Sequence, residues 1–170
     1  MDCFSYKNSS LFCEDVNLHD IANEYGTPTY VYSRRTLEQN IDLYQQSFKN
    51  KNSLICFSVK SLNNLAILKI LNDKECGFDI VSYGELMRVL HVGADPNKII
   101  FSGVGKSEME IVEGINNGIL SFNIESESEL QRIERIASKL KKQVNVAIRF
   151  NPEIDSGGHD YITTGRKGDK

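Results

Sequence analysis

From about residue 50 onward the chain alternates a short apolar run, a turn, a helical pattern and another apolar run. The apolar runs are Leu54–Val59, Phe78–Val81, Lys98–Phe101, Ile119–Phe122 and Val144–Phe150. Their centres lie roughly 21 to 25 residues apart, the length of one strand, one helix and two short loops. Between the runs, Leu65, Leu68 and Leu71 recur at threes, and Leu86, Val89 and Leu90 at i, i+3, i+4. Leu130, Ile133, Ile136, Ala137 and Leu140 repeat the helical spacing. A strand followed by a crossover helix returns to a parallel neighbour. The pattern therefore predicts a parallel sheet covered by helices.

Local signals agree. "SYGE" at Ser82–Glu85 and "SESE" at Ser126–Glu129 fit the capping box. Gly93, Gly118 and the region of Gly77 are predicted to close helices or turns. A short strand is predicted at Thr29–Tyr32, set by Pro28, with a helix from Ser33 to Phe48. Two closures suit such a series, an open doubly wound sheet or a barrel. The glycine-rich dinucleotide fingerprint of the open sheet is absent after every strand, and near-equal units in series favour the barrel. The expected fold is α/β, the N-terminal part of a (β/α)8 TIM-like barrel, incomplete at residue 170. Residues 1–32 form an N-terminal segment and strand, and 33–170 the first five βα units. "SGVGKS" at 102–107 resembles the end of a phosphate-binding loop, but Ile100 stands where that motif needs glycine. Gly103 and Gly105 are read as a tight βα turn.

Charge excludes some partners. With a formal net charge of −3 there is no basic excess to hold phosphates, so neither nucleic acid nor an anionic membrane surface is expected. Lys139, Lys141 and Lys142 are read as a solvated cap at a helix end. No run approaches the ~18 apolar residues of a membrane span. "MDCFSYKNSS" has no apolar segment of the kind a signal peptide carries. Cys3, Cys13, Cys56 and Cys76 show no metal-ligand spacing, so no metal is expected. Free thiols without a leader suggest the cytoplasm, and Cys56 is expected to pack as a small hydrophobe.

In barrel enzymes the reacting groups sit at the C-terminal ends of the strands. Those ends carry Lys60, then Asp79 and Ser82, then Ser102, then Asn123 and Glu125, then Arg149 and Asn151. A lysine facing a cavity loses ammonium solvation, its amine is freed, and it can condense with a carbonyl group such as that of pyridoxal phosphate. Position alone leaves a second reading for each residue. Lys60 is equally a solvated surface lysine, and Asp79 with Arg149 equally a structural ion pair under the loops.

Five motifs carry a resemblance to a known family. "ICFSVKSLNN" resembles the strand-ending lysine motif of fold-type III pyridoxal-phosphate-dependent decarboxylases, and "GFDIVSYGEL" their following segment. "IIFSGVGKS", "FNIESESEL" and "IRFNPEIDSGGHDYITTG" are similar to the third-, fourth- and fifth-strand motifs of the diaminopimelate branch. They occur in family order and at family spacing from about Tyr25 to Lys170. The resemblance implies a barrel of the alanine-racemase and group IV decarboxylase type. It implies pyridoxal 5'-phosphate as cofactor, held covalently by Lys60 with Asp79 and Arg149 beside it, and meso-2,6-diaminopimelate converted to L-lysine and CO2. His159 matches a loop position, and Ser82 and Glu85 are read as helix caps first.

The same resemblance implies alternatives and gaps. An ornithine, arginine or carboxynorspermidine-type decarboxylase, or a pyridoxal-phosphate-binding barrel without catalysis, shares the fold. Ser58 and Ser61 replace alanines of the family pattern, Leu62 an asparagine and Tyr83 a glycine. The family's ring-stacking histidine, phosphate loop and substrate arginines fall beyond Lys170, as does the β-domain that completes the site across a homodimer. This chain is accordingly expected to be an N-terminal fragment, inactive alone.

Overall fold

The structure, a computed structural model, describes residues 3–154. Five parallel strands form one sheet: β4 (Cys56–Ser58), β5 (Gly77–Ile80), β6 (Ile99–Phe101), β7 (Ser121–Ile124) and β8 (Val146–Ile148). Their order is β4-β5-β6-β7-β8, each strand beside the next in sequence. A doubly wound sheet reverses its order at a switch point, and this one does not. The succession is that of a partial barrel. The connecting helices are α3 (Leu65–Asp73), α4 (Tyr83–His91), α5 (Glu108–Asn117) and α6 (Glu127–Leu140), and α2 (Arg34–Phe48) precedes β4.

Register explains the division of the sheet into two faces. Ser58 pairs with Asp79, Phe78 with Ile99, and Phe101 with Phe122. Side chains alternate along each strand. Phe78, Ile80, Ile99 and Phe101 are 0% exposed and pack with Leu68, Leu86, Val89, Ile111 and Ile133 in one core. The opposite face, which a closing barrel turns inward, carries Cys56, Ser58, Asp79, Ser121 and Asn123 together with one large apolar residue, Ile100, each half-buried. Apolar residues toward the helices and mostly polar ones away from them are what one-sided burial requires.

Several expectations need correction. Thr29–Tyr32 forms no strand. Tyr30 is 87% exposed, and β-prone residues without a partner backbone have no ladder to join. An unforeseen sheet lies at the N-terminus, with β1 (Phe4–Lys7), β2 (Ser10–Cys13) and β3 (Val16–Asn17) antiparallel in order. Asn8 and Ser9, both at positive φ, make its two-residue turn. A first helix α1 (Leu18–Tyr25) follows it. The Glu14 carboxylate accepts from Ser33 Oγ at 2.7 Å and from the Arg35 N–H at 2.9 Å, tying this sheet to the start of α2.

β7 also runs later than its apolar pattern suggests, so Asn123 lies within it rather than after it. Phe122 and Ile124 face the helices, and the polar residue between them faces inward without interrupting the ladder. Gly77 closes no helix. It opens β5, where an added Cβ would lie 2.5 Å from Lys98 O and 2.8 Å from Cys56 Sγ. Lys142 is more than a solvated cap, since its Nζ reaches the Ile115 carbonyl at the end of α5, 3.3 Å away. Among the described residues, no helix is long and apolar enough to cross a membrane.

Candidate active site

The helix starts brace the sheet at its C-terminal edge. Ser82 and Ser126 accept from the N–H groups of Glu85 and Glu129, as the capping pattern predicts. The glutamates, however, reach one residue further back than a capping box does. Glu85 Oε2 accepts from the Val81 N–H at 2.7 Å, and Glu129 Oε2 from the Glu125 N–H at 2.8 Å. Each carboxylate thus fixes the backbone just after a strand. A full capping box forms instead at Ser107 with Glu110, whose other oxygen takes the Tyr83 N–H at 2.9 Å.

Lys60 sits in a single 3-10 turn, Val59–Ser61, directly after β4. Val59 is 0% exposed and anchors the turn. Lys60 itself is exposed, and it makes no hydrogen bond or ion pair with the described residues. Ser58 and Ser61, which replace alanines of the family pattern, have distinct contacts. Ser61 Oγ donates to the Ser58 carbonyl at 2.6 Å, and Ser58 Oγ lies 3.5 Å from Asp79 Oδ2.

Asp79 is the centre of the inner face. Its Oδ1 accepts from Ser102 Oγ, and Ser102 Oγ accepts from Asn123 Nδ2 at 2.9 Å. Four neighbouring strands are thereby joined at their C-terminal ends. Burial, and next the Asp79 charge, push the Cys56 thiol above its ordinary value, so Cys56 is an unreactive neighbour.

Arg149 follows β8, with its N–H on the Ile124 carbonyl at 2.9 Å. It does not pair with Asp79, from which β6 and β7 separate it. Its Nε lies 3.8 Å from Glu125 Oε2. That oxygen is buried and accepts no hydrogen bond from the described residues. Glu125 and Arg149, with Ser102, Asn123 and Ile148, line a cavity of about 180 Å³. A larger cavity of about 370 Å³, lined in part by Lys51, Glu75 and Lys98, lies at the N-terminal ends of the strands. It is remote from the rim where barrel chemistry occurs. Asn151 caps its own loop, accepting from the Glu153 N–H at 3.0 Å. His159 lies outside the described residues.

Lys106 is the residue that sequence reasoning passed over. Its side chain is 1% exposed and meets Glu129 Oε1 at 2.9 Å. It also donates to the carbonyls of Gly103 at 2.8 Å and Asn123 at 2.7 Å. Gly103, at φ +104°, makes the turn that brings its carbonyl there. The signal available was a lysine inside a βα loop and a glutamate at the third position of α6, one βα unit further on.

An amine without a partner among the described residues, an inward carboxylate and a guanidinium, each set toward the C-terminal end of a strand, mark this as an α/β domain of the partial-barrel class with a polar rim. The chain belongs to the pyridoxal-dependent decarboxylases: the family's pyridoxal binding domain matches residues 34–170. It is 45% identical over 170 residues to diaminopimelate decarboxylase of Haemophilus influenzae, covering 100% of this chain and 41% of that protein. It is 46% identical to the Vibrio cholerae enzyme of the same name, with the same coverage. The crystal structure of diaminopimelate decarboxylase from Helicobacter pylori complexed with L-lysine superposes with a TM-score of 0.85 at 42% identity. That match covers 89% of this chain and 38% of the other. The chain thus spans about 41% of the length of these curated relatives.

The cofactor of this family is pyridoxal phosphate, and the residues present suit it. Among the described residues the Lys60 amine is available for its aldehyde, the inner face is mostly polar, and the buried Glu125 Oε2 lacks the donor partner it needs.

Proposed function

We propose that the protein removes the carboxyl group at one end of meso-2,6-diaminopimelate to give L-lysine and CO2, using pyridoxal phosphate. The observation that carries this reading is identity of about 45% along the whole of this chain to diaminopimelate decarboxylases, with Lys60 unpaired at the rim of the inner face. Lys60 is the amine that holds the cofactor. Asp79, hydrogen-bonded along one edge, lies beside it as the carboxylate partner of a protonated nitrogen, and Arg149 lines the same rim. When bound, pyridoxal phosphate supplies an electron-poor ring that takes up the electron pair left as CO2 departs.

The chain's own groups do the rest of what this half of the site offers. They fix the amine at one rim position, present a carboxylate to positive charge, and keep the opposite face of the sheet dry with packed Phe and Ile side chains. Residues 1–32 pack against a C-terminal β-domain in the longer protein, which works as a cytoplasmic homodimer and binds no nucleic acid.

The test is an absorbance scan of the purified protein, in the full length its gene encodes, mixed with pyridoxal phosphate, then borohydride reduction and peptide mapping. A visible band with the label on Lys60, both lost in Lys60→Ala, together with CO2 release from meso-diaminopimelate, is expected. Label scattered over surface lysines overturns the cofactor site. Label at Lys60 with CO2 released from ornithine or arginine instead overturns the substrate, and label without any CO2 release overturns the enzymatic reading.

A further inference from the structure

Asp79 is held by a chain with a fixed direction. The Asn123 side chain meets Ser102 Oγ through Nδ2, which can only donate. A flipped amide would set an acceptor against a hydroxyl whose proton is already committed, because Ser102 donates to Asp79 Oδ1. Among the described residues, the second oxygen of Asp79 has only Ser58 Oγ, at 3.5 Å, on the β4 side. The donor end is anchored too: Lys106 Nζ grips the Asn123 carbonyl at 2.7 Å and the Gly103 carbonyl, next to Ser102, at 2.8 Å.

We propose that Ser102 and Asn123 are positioning residues, which tie Oδ1 of Asp79 to β6 and leave Oδ2 turned toward β4, the strand that Lys60 follows. A carboxylate free to rotate spends part of its time facing away from its target. One tied at a single oxygen presents the other constantly, with the ordering achieved on folding rather than on binding. The inference rests on the reading that Lys60 holds the cofactor.

The experiment is a pH titration of the visible band of pyridoxal phosphate bound to the full-length protein, with the attachment site mapped after borohydride reduction. A carboxylate close to a protonated nitrogen favours the protonated form, so loss of its alignment lowers the pH at which the proton leaves. Ser102→Ala and Asn123→Ala are expected to keep the label on Lys60 and to lower the band's midpoint by about half to one unit. Asp79→Asn lowers it further, and Ser102→Ala added to Asp79→Asn changes nothing more. Ser102→Thr, which keeps the hydroxyl, retains the parent midpoint. Asn123→Leu, similar in volume but without the donor, replaces Asn123→Ala where that variant does not fold. Unchanged midpoints with the label still on Lys60 overturn the positioning role alone. So does a Ser102→Ala shift that persists in full in the Asp79→Asn background. A parent protein unlabelled at Lys60 overturns the cofactor site, and the positioning role with it.

Discussion

Replacing Lys106 by methionine keeps the length of the side chain and removes its charge from a site where that side chain is 1% exposed. All three N–H donors of the ammonium are used, on Glu129, Gly103 and Asn123. The variant leaves two carbonyls and one carboxylate facing a thioether. A bare buried carbonyl costs about 1–3 kcal/mol, but the carboxylate decides the outcome, because breaking one side of a buried ion pair costs about 3–5 kcal/mol. We take about 3–5 kcal/mol as the net, since the loop can relax and admit water. With a urea dependence of about 2 kcal/mol per molar, the unfolding midpoint should fall by roughly 1.5–2.5 M.

Urea unfolding followed by circular dichroism measures this directly. Adding Glu129→Gln to Lys106→Met removes the stranded charge while keeping an acceptor for the Glu125 N–H. It should restore about 1–2 kcal/mol. A loss below about 1 kcal/mol in Lys106→Met, or no recovery in the double variant, would refute the assignment of Lys106 as a buried ionic pin.

Two further expectations follow from packing and charge. A Cβ at Gly114 would lie 2.7 Å from Phe122 Cζ and 3.1 Å from Ile119 Cδ1, and Phe122 is held against Phe101 at 6.0 Å between ring centroids. Overpacking of about 1–3 kcal/mol then outweighs the gain of about 1 kcal/mol in helix propensity, so Gly114→Ala should lower the melting temperature, and a raised one would contradict the packing. Burial pushes the Glu110 carboxyl up, yet the N–H groups of Ser107 and Tyr83 and the Ser107 hydroxyl bring it below its ordinary 4.5. Its stabilisation is therefore present above that value and lost as pH falls through the lower folded one. Glu110→Gln should flatten the decline in stability between about pH 5 and pH 3, measured by urea unfolding at each pH, and an unchanged decline would count against it.

The sequence alone determined the repeating architecture and the positions of its candidate site residues. Apolar spacing along one chain reports which residues face a core, so the five strands and the helices between them were legible. So was Lys60 at a strand end, because strand ends follow from where apolar runs stop. Position and resemblance together also singled out Asp79 and Arg149. The N-terminal sheet escaped because its strands are short and half polar, and its Asn8–Ser9 turn lacks the glycine that makes such turns easy to read.

Only the tertiary structure decided the partners. Asp79 and Ser102 are 23 residues apart, as are Lys106 and Glu129, and nothing periodic links them. Their meeting depends on register between parallel strands and on rotamers fixed by packing. Tyr30 carries strand propensity but found no neighbour, while Lys106 carries a charge and found three. Propensity and pattern act along the chain, whereas hydrogen-bond partners lie across it.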